Sequence, residues 1–289
     1  MALIEHTLFG KQDKVARAIE RIKLFDPSTS EHTQDLAPYY VAYSGGKDSD
    51  ALRILFELSG VRYDLVHNHT TVDAPETVRY IRSIPGIQIS FPTMTMWELI
   101  VRKRMPPTRI VRYCCEYLKE RGGRNRVVAT GIRWAESSKR KHRGSIEIGG
   151  RKSTLILNAD NDESRDIFEM CQTQGKRIIN PIIDWTDDEV WEFLHHYGCQ
   201  SNPLYESGYK RVGCIGCPIA GGKMQIEEFK KYPKYKAAYL RAFEKMIISR
   251  YEANLPTEKW KTAEDVFHWW VTNPNADDTV DEDQLSFYD

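Results

Sequence analysis

A glycine-rich turn carries the first group of residues suited to chemistry. It reads Ser44-Gly45-Gly46-Lys47-Asp48-Ser49 and follows the apolar run Tyr39–Tyr43. The glycines permit positive φ and close approach of the backbone to a ligand. The serines add hydroxyl donors, Lys47 adds a positive charge, and N–H groups at the start of a helix favour an anion. We therefore predict that residues 44–49 bind a phosphate or pyrophosphate; the alternative is an ordinary turn capping a surface helix. The spacing is not that of a Walker A loop.

Four clustered cysteines form the second group. Cys114 and Cys115 are adjacent, and Cys214-Ile-Gly-Cys217 follows far downstream. The side chains of adjacent cysteines diverge, which suits one tetrahedral zinc ion poorly but lets each thiolate reach a different iron. We predict that these four cysteines hold a 4Fe–4S cluster. A structural zinc site, or two buried cysteines beside a coincidental Cys-x-x-Cys, are the alternatives. Cys171 and Cys199 belong to no motif and are predicted to be packing residues.

Strands that alternate with helices must position both groups. We predict an α/β fold: a twisted, mostly parallel five-stranded sheet with helices on both faces, plus a helical C-terminal extension that carries the Cys-x-x-Cys. A hairpin is predicted around Gly149-Gly150. The predicted strands are 39–43, 62–68, 87–91 and 127–130, and residues 180–184 are predicted to be the exit of a further strand. The predicted helices include 11–24, 75–84, 95–103, 187–197, 224–251 with a break at Pro233, and 262–271. The predicted regions are 1–35 (helix and linker), 36–200 (nucleotide-binding domain), 201–272 (cluster loop and helices) and 273–289 (acidic tail).

Composition bears on three properties of the protein: its partners, its relation to membranes and the redox compartment. The 41 basic and 41 acidic residues balance, so net charge gives no argument for a nucleic-acid partner. The sequence has no apolar run long enough for a membrane span and no signal-peptide pattern at residues 1–10. Six cysteines are too few for a disulfide scaffold, and their clustering suits a metal site in a reducing compartment. We therefore expect a soluble, cytoplasmic protein that has no membrane partner.

Several of these segments resemble one known family. Residues 44–49 resemble the pyrophosphate loop of the adenine-nucleotide α-hydrolase-like superfamily, which includes N-type ATP pyrophosphatases, tRNA-thiolating enzymes and phosphoadenosine phosphosulfate (PAPS) reductases. The cysteine spacing, with Lys119 four residues after Cys115, is similar to that of cluster-bearing sulfonucleotide reductases. Three further segments resemble PAPS reductases: Asp73-Ala-Pro-Glu76-Thr77, Thr130-Gly131-Ile-Arg133 with Arg140, and Asn202-Pro-Leu-Tyr-Glu-Ser-Gly-Tyr209. The resemblance covers residues 38–220 and implies that Thr71, Asp73, Gly131, Arg133 and Arg140 bind the nucleotide together with Ser44, Gly45, Gly46, Lys47, Asp48 and Ser49.

The sequence departs from the reductases in two places. Reductases carry a nucleophilic cysteine near the C-terminus, but here no cysteine follows Cys217. Reductases typically lack a lysine at position 47, whereas ATP pyrophosphatases keep it. The resemblance therefore implies an enzyme that cleaves ATP between the α and β phosphates and adenylates an acceptor oxygen for sulfur transfer. Such chemistry is similar to that of the PAPS-reductase-like proteins of DNA phosphorothioation systems and of cluster-dependent tRNA thiolases.

These expectations assign roles and partners. Lys47, Asp48 and Arg133 are the predicted catalytic residues: Lys47 stabilises the leaving pyrophosphate and Asp48 helps to hold Mg²⁺. The predicted nucleotide is ATP with Mg²⁺, with PAPS or adenylyl sulfate as alternatives, and the predicted sulfur donor is a persulfide such as that of a cysteine desulfurase. The basic runs Arg102–Arg104 and Lys139–Arg143 are either a solvated face or a surface for a nucleic-acid acceptor.

Other functions and assembly states stay open. The first rival is a sulfonucleotide reductase that produces sulfite. The second is a non-catalytic, nucleotide-binding accessory module. Homo-oligomerisation is also left open.

Overall fold

The chain divides into two compact units. The computed structural model describes residues 1–7, 10–29, 37–149, 153–170 and 176–272. The first unit contains Met1–His67, Glu76–Ser90 and Gly122–Val212, and the second contains Asn68–Pro75, Phe91–Arg121 and the chain from Gly213 onward. Each unit is thus assembled from three separated segments, unlike the contiguous regions of the sequence-based division. Gly150, Cys171, most of the predicted linker and the predicted acidic tail lie outside the described residues.

A seven-stranded sheet forms the centre of the first unit. Its strand order is β5-β4-β3-β6-β9-β7-β8. The strands of the sheet are β3 (Tyr39–Ala42), β4 (Tyr63–Asn68), β5 (Gln88–Ser90), β6 (Val127–Ala129), β7 (Ile146–Gly149), β8 (Thr154–Leu157) and β9 (Arg177–Ile179). β3 pairs in parallel with β4 and β6, and β6 pairs in parallel with β9. β7 runs antiparallel to both β8 and β9.

This architecture confirms the predicted α/β class with a mostly parallel sheet, but the predicted count of five strands is wrong. The hairpin β7–β8 was expected from its sequence, and it joins the sheet because β7 pairs with β9 from Ile146↔Ile179 to Ile148↔Arg177. Residues 180–184, which were predicted to be a strand exit, follow β9 directly, since that strand ends at Ile179. A further hairpin, β1 (Ile4–Thr7) with β2 (Gly10–Asp13), was missed because its residues are mostly polar and show no clear alternation.

The predicted helices are present, but the first begins at Lys14 because residues 11–13 belong to β2, and helices 113–118 and 162–170 were not predicted. Those of the first unit are α1 (Lys14–Leu24), α2 (Lys47–Ser59), α3 (Pro75–Ser83, whose first residue belongs to the second unit), α6 (Asp162–Met170) and α7 (Asp187–His196). On α2, Ala51, Leu52, Leu55 and Phe56 share one face and are fully buried in the core that also contains Val41 of β3. α2 ends at Gly60 with a φ of +71°, and α7 begins with a capping box of Thr186 and Glu189.

The second unit is built largely from helices. They are α4 (Met96–Lys103), α5 (Tyr113–Leu118), α8 (Gly222–Lys231), α9 (Pro233–Glu252) and α10 (Ala263–Thr272). The predicted break falls between α8 and α9, where Pro233 opens the second helix. Tyr239 of α9 and Trp270 of α10 are buried with ring centroids 4.8 Å apart, so aromatic side chains supply much of this unit's core. Among the described residues, none of the helices has the length and apolar character of a membrane span.

Candidate functional site

The glycine turn joins β3 to α2, in the strand, turn and helix order that the sequence predicted. Gly45 has a φ of +75°, and a Cβ there would lie 3.0 Å from the Ile81 side chain, so a larger residue would be both strained and crowded. The Ser49 hydroxyl donates to the Gly46 carbonyl oxygen at 2.7 Å and lies 3.2 Å from the Gly46 nitrogen, whose N–H it accepts. These bonds fix the turn with the first N–H groups of α2 at its base.

Four charged side chains surround the start of α2. The Lys47 ammonium lies 3.3 Å from the Asp187 carboxylate and 3.6 Å from the Asp48 carboxylate. Arg133, which is only 1% exposed, donates to Asp48 at 2.7 Å and to Asp187 at 2.5 Å. Burial alone would raise the pKa of Asp187, but hydrogen bonds from Arg133 and Lys47 lower it below its ordinary value. The structure therefore brings together the three residues predicted to be catalytic.

Asp187 was missed by the sequence analysis. It was expected only to be the first residue of the predicted helix 187–197, and it lies in the first turn of α7. The acidic start of a helix is common, because carboxylates there interact favourably with the helix dipole. Nothing local distinguishes Asp187 from Asp188, so only the fold identifies it as a member of this group.

Gly131 and Arg140 lie on the same side of the first unit as this charged group. A Cβ on Gly131 would be 2.9 Å from the Asp48 carbonyl oxygen, so glycine lets the chain after β6 pass directly against the first turn of α2. Arg140 forms an ion pair with Glu136. Burial lowers the pKa of the Arg140 guanidinium; Glu136 opposes this effect, while Arg211 and Arg143 add to it. Two further guanidinium groups thus lie near Arg140, and the side chain of Lys139 lies outside the described residues.

Asn202 holds the glycine turn from a distant part of the sequence. Its side chain is fully buried and donates to the Gly45 carbonyl oxygen at 3.0 Å and to the Thr77 hydroxyl at 3.1 Å. Asn202 opens the Asn-Pro-Leu segment, which the sequence analysis singled out only through its resemblance to PAPS reductases. Through these hydrogen bonds the segment holds the Gly45 carbonyl group of the turn in place.

The four motif cysteines border one cavity in the second unit. Cys114 and Cys115 lie on α5, and Cys214 and Cys217 lie in the turn before α8. The Cys214 thiol is 3.4 Å from the Thr70 hydroxyl, and Cys214 forms an isolated bridge with Asp73. Sequence spacing therefore predicted correctly that the two pairs of cysteines lie together.

The Cys-x-x-Cys turn is held by contacts to its central residues. Gly216 has a φ of +73°, and a Cβ there would lie 2.5 Å from the Phe229 ring. Its N–H donates to the Glu228 carboxylate at 2.7 Å, and its carbonyl accepts from Gln225 at 2.9 Å. The Tyr239 hydroxyl donates to the Ile215 carbonyl oxygen. The turn is thus held at its 215–216 and 216–217 peptide groups, which limits where its thiols can point.

Two cations lie beside the cysteines. Arg112 is 3.8 Å from the Cys115 sulfur, and the proximity of Cys214 raises the pKa of Lys119. A hydrogen bond from Cys114 lowers the pKa of the Cys115 thiol, and Lys119 and Arg112 act in the same direction. Four thiols facing one cavity with nearby positive charge form a donor set that suits an iron–sulfur cluster, whose sulfur ligands bond to different irons. In the described part of the chain, no three His, Cys, Asp or Glu side chains are grouped around a position for a single metal ion.

Thr71 and Asp73, which were predicted to bind nucleotide, belong to the second unit. The buried Asp73 carboxylate accepts from the N–H and hydroxyl of Thr70 at 2.8 Å and 2.7 Å. Thr71 has a φ of +66°, an uncommon conformation for a β-branched residue, and its hydroxyl accepts from the Met96 N–H at 2.9 Å. These contacts order the segment before α3, and the nucleotide role of both residues stays a prediction.

Comparison with known proteins identifies the family. Residues 38–220 match the phosphoadenosine phosphosulfate reductase domain. Because this stretch is more than half of the chain, the chain belongs to the PAPS reductase domain family, as its motifs predicted. The family match supports nucleotide binding, and it leaves the particular reaction open.

Relatives of the chain are similar over different lengths. An uncharacterized protein of Methanocaldococcus jannaschii is 28% identical over 239 residues, which cover 77% of this chain and 44% of that protein. An uncharacterized protein of Escherichia phage 186 is 26% identical over 160 residues, or 55% of this chain and 43% of that protein. The chain therefore spans less than half the length of these two relatives. An adenosine 5'-phosphosulfate reductase of Allochromatium vinosum is 44% identical over 46 residues, which are 16% of this chain and 18% of that protein.

Two solved structures have a distant likeness to the fold. A phosphoadenylyl-sulfate reductase from Candida auris matches with a TM-score of 0.42 and 16% identity, over 68% of this chain and 87% of that one. A U34-tRNA thiolase from Methanococcus maripaludis with its 4Fe–4S cluster matches with a TM-score of 0.42 and 10% identity, over 89% of this chain and 88% of that one. Both likenesses are too distant to bear on the reaction of this chain.

Proposed function

We propose that the chain binds ATP with Mg²⁺ at residues 44–49 and transfers AMP to an oxygen of an acceptor. The acceptor oxygen attacks the α-phosphorus, gives up its proton, and pyrophosphate leaves with the electron pair of the broken phosphorus–oxygen bond. The terminal sulfur of a persulfide donor, such as a cysteine desulfurase, then attacks the atom of the acceptor that carries the adenylated oxygen and bonds to it. AMP leaves with the former acceptor oxygen, and a thiol reductant frees the new sulfur from its donor.

The position of Lys47 is the observation that carries this proposal. Its ammonium lies at the start of α2, within 3.6 Å of two carboxylates, where helix N–H groups favour an anion. A fixed cation there would stabilise the negative charge that develops on departing pyrophosphate. Asp48 and Asp187 offer the carboxylate oxygens that Mg²⁺ prefers, and Arg133 orients both of them.

We also propose that Cys114, Cys115, Cys214 and Cys217 hold a 4Fe–4S cluster. A bound cluster would supply iron that can exchange electrons or bind a sulfur atom. Arg112 and Lys119 would offset the negative charge of the thiolate ligands. The residues between the second pair of cysteines keep those thiols in position through the contacts of Gly216 and Ile215.

A nucleic acid is the acceptor that the local charge favours. The segment Phe91–Arg121, which contains the first two cysteines, has more Lys and Arg than Asp and Glu, although the whole chain is balanced. Cations on such a surface bind phosphates and release counterions. Binding of the acceptor is therefore expected to weaken steeply as the salt concentration rises.

Nucleotide preference is the measurement that tests the proposed reaction. ATP, adenylyl sulfate and PAPS would be compared by calorimetry with Mg²⁺, on protein purified without oxygen. We expect ATP to bind most tightly, and Lys47→Ala to weaken it about ten- to a hundredfold, because a charge-assisted hydrogen bond contributes about 1.5–3 kcal/mol. Lys230→Ala, which removes an exposed ion pair with Glu227, is the matched control. A preference for either sulfonucleotide would contradict adenylation by ATP.

Iron content tests the cluster separately from the nucleotide. Cys214→Ser is expected to abolish the broad visible absorption of an iron–sulfur centre and to lower the bound iron. Cys199→Ser is the control, because Cys199 lies in the first unit and outside the motif. Full absorption in Cys214→Ser would contradict the assignment, and stoichiometric zinc without iron would favour the structural alternative.

A further inference from the structure

The hydroxyl group of Tyr205 lies where the glycine turn would hold an anion. Lys47 is the first residue of α2, so its N–H has no partner inside the helix. The Tyr205 hydroxyl oxygen accepts this N–H at a distance of 2.9 Å. A Cβ on Gly46 would lie 3.3 Å from the same oxygen, so the phenol reaches the glycine face of the turn. An oxygen placed at this N–H is what a bound phosphate would supply.

The chain around Tyr205 is fixed at one end. Asn202 is fully buried; its amide donates to Gly45 and Thr77, and its side-chain oxygen accepts from the Leu204 N–H at 3.1 Å. Leu204 is itself buried, and the Tyr205 N–H donates to the Asn202 carbonyl oxygen at 3.0 Å. The backbone that carries Tyr205 is therefore held against the turn, and motion of the hydroxyl can come from rotation of the side chain alone.

Open space borders the ring of Tyr205. A cavity of about 940 Å³ in the first unit is lined by Tyr205 together with Trp191, Tyr197 and Cys199. The Tyr205 and Trp191 rings pack edge to face, with centroids 5.0 Å apart. The ring can thus leave the turn without displacing the core, and Trp191 would sense its departure.

We infer that Tyr205 is a built-in competitor for the phosphate site: its hydroxyl occupies the Lys47 N–H in the nucleotide-free protein, and a bound phosphate displaces it toward the neighbouring cavity. This inference rests on the proposed nucleotide site at residues 44–49. Each binding event exchanges a hydrogen bond to a phenol for one to a phosphate oxygen. Because the first bond must break, it lowers the net affinity and favours ligands that also engage Lys47 and the remaining N–H groups.

Removal of the hydroxyl tests the inference directly. Tyr205→Phe keeps the ring and its contact with Trp191 but frees the Lys47 N–H. We expect the affinity for pyrophosphate and for ATP, each with Mg²⁺, to rise about two- to tenfold, because one net hydrogen bond of ordinary strength no longer has to be broken. Tyr197→Phe is the matched control, since Tyr197 lines the same cavity and is expected to leave the affinity unchanged. Thermal unfolding of both variants verifies that the fold is retained.

The outcomes separate this inference from the proposed function. If the wild type binds ATP and Tyr205→Phe binds it equally or more weakly, the inference fails while the proposed function stands. If neither protein binds ATP or pyrophosphate, both fail. Tighter binding by Tyr205→Phe, with the affinity of the control Tyr197→Phe unchanged, supports the inference.

Tryptophan fluorescence supplies a second readout. Saturating ATP is expected to change the emission of the wild type as the Tyr205 ring leaves Trp191, and Trp191→Phe should remove that part of the change. An emission change that is identical in Trp191→Phe and wild type would show that the ring does not move.

Discussion

Replacement of Asp50 by asparagine is expected to remove a pH dependence of stability that originates inside α2. Asp50 has no exposed surface, and one of its carboxylate oxygens accepts hydrogen bonds from Tyr43 at 2.5 Å and from Tyr80 at 2.9 Å. Among the described residues, its other oxygen has no partner. Burial raises the pKa of Asp50 from 3.8 to about 6, although both tyrosines and Arg53 act to lower it.

The direction of the effect follows from proton binding. Between pH 3.8 and about 6 the folded protein keeps a proton on Asp50 that the unfolded chain has released. Stability therefore falls as the pH rises through this window, and it levels off above the folded pKa. A shift of about two units corresponds to a total loss of about 3 kcal/mol, of which about 2 kcal/mol falls between pH 4.5 and 7.5. Asp50→Asn cannot release a proton and should lack this loss.

Urea unfolding at a series of pH values measures the difference. All other titrating groups are shared, so the stability of Asp50→Asn relative to wild type isolates this carboxyl. That relative stability is expected to rise by about 2 kcal/mol from pH 4.5 to 7.5, whatever the fixed cost of the new amide. Asp188→Asn, at an exposed position on α7, should show no such trend. Parallel stability curves for Asp50→Asn and wild type would refute the reasoning.

Three further substitutions have definite expected outcomes. Gly131→Ala places a Cβ 2.9 Å from the Asp48 carbonyl oxygen, so we expect it to displace the first turn of α2 and weaken ATP binding at least about tenfold in calorimetry, with little change in iron content. Gly216→Ala combines a φ of +73° with a Cβ 2.5 Å from Phe229, so iron content should fall while ATP affinity is kept; normal iron would contradict this expectation. Arg21→Ala breaks a bidentate pair, at 2.7 Å and 2.5 Å, between the fully buried Arg21 and the partly buried Asp160, and should lower the free energy of unfolding by about 3–5 kcal/mol in urea. A loss below about 1 kcal/mol would show that the pair is readily replaced by solvent.

Local patterns predicted the parts of the site that lie within short stretches of sequence. The glycine turn and the Cys-x-x-Cys each lie within a few residues, and their residue types restrict the backbone directly. The apolar spacing of α2 and its end at Gly60 likewise depend on near neighbours in sequence. Turn chemistry and helical periodicity are thus enough to predict where such a turn begins and ends.

The residues that complete the site could not be predicted in this way. Tyr205 reaches Lys47 across 158 positions, and Arg133 reaches Asp187 across 54. Arg133 was expected to bind nucleotide only through the resemblance of its segment to PAPS reductases, and no local signal identifies Asp187 as its partner or Tyr205 as the partner of Lys47. The two units are likewise made of interleaved segments, which follows from long-range packing and leaves no mark in composition.

The charges around α2 are the reason that we expect the proposed ligand to bind together with a metal ion. Lys47 and Arg133 contribute two positive charges, and Asp48 and Asp187 contribute two negative ones, so the group is neutral before a ligand arrives. A triphosphate brings more negative charge than a neutral group can balance, and the two carboxylates would repel it. A divalent cation reverses this balance, because it neutralises phosphate charge and turns the same carboxylates into ligands. Loss of Lys47 would leave the group with a net negative charge, which is why its removal should affect a triphosphate more than a ligand that carries less charge at this position.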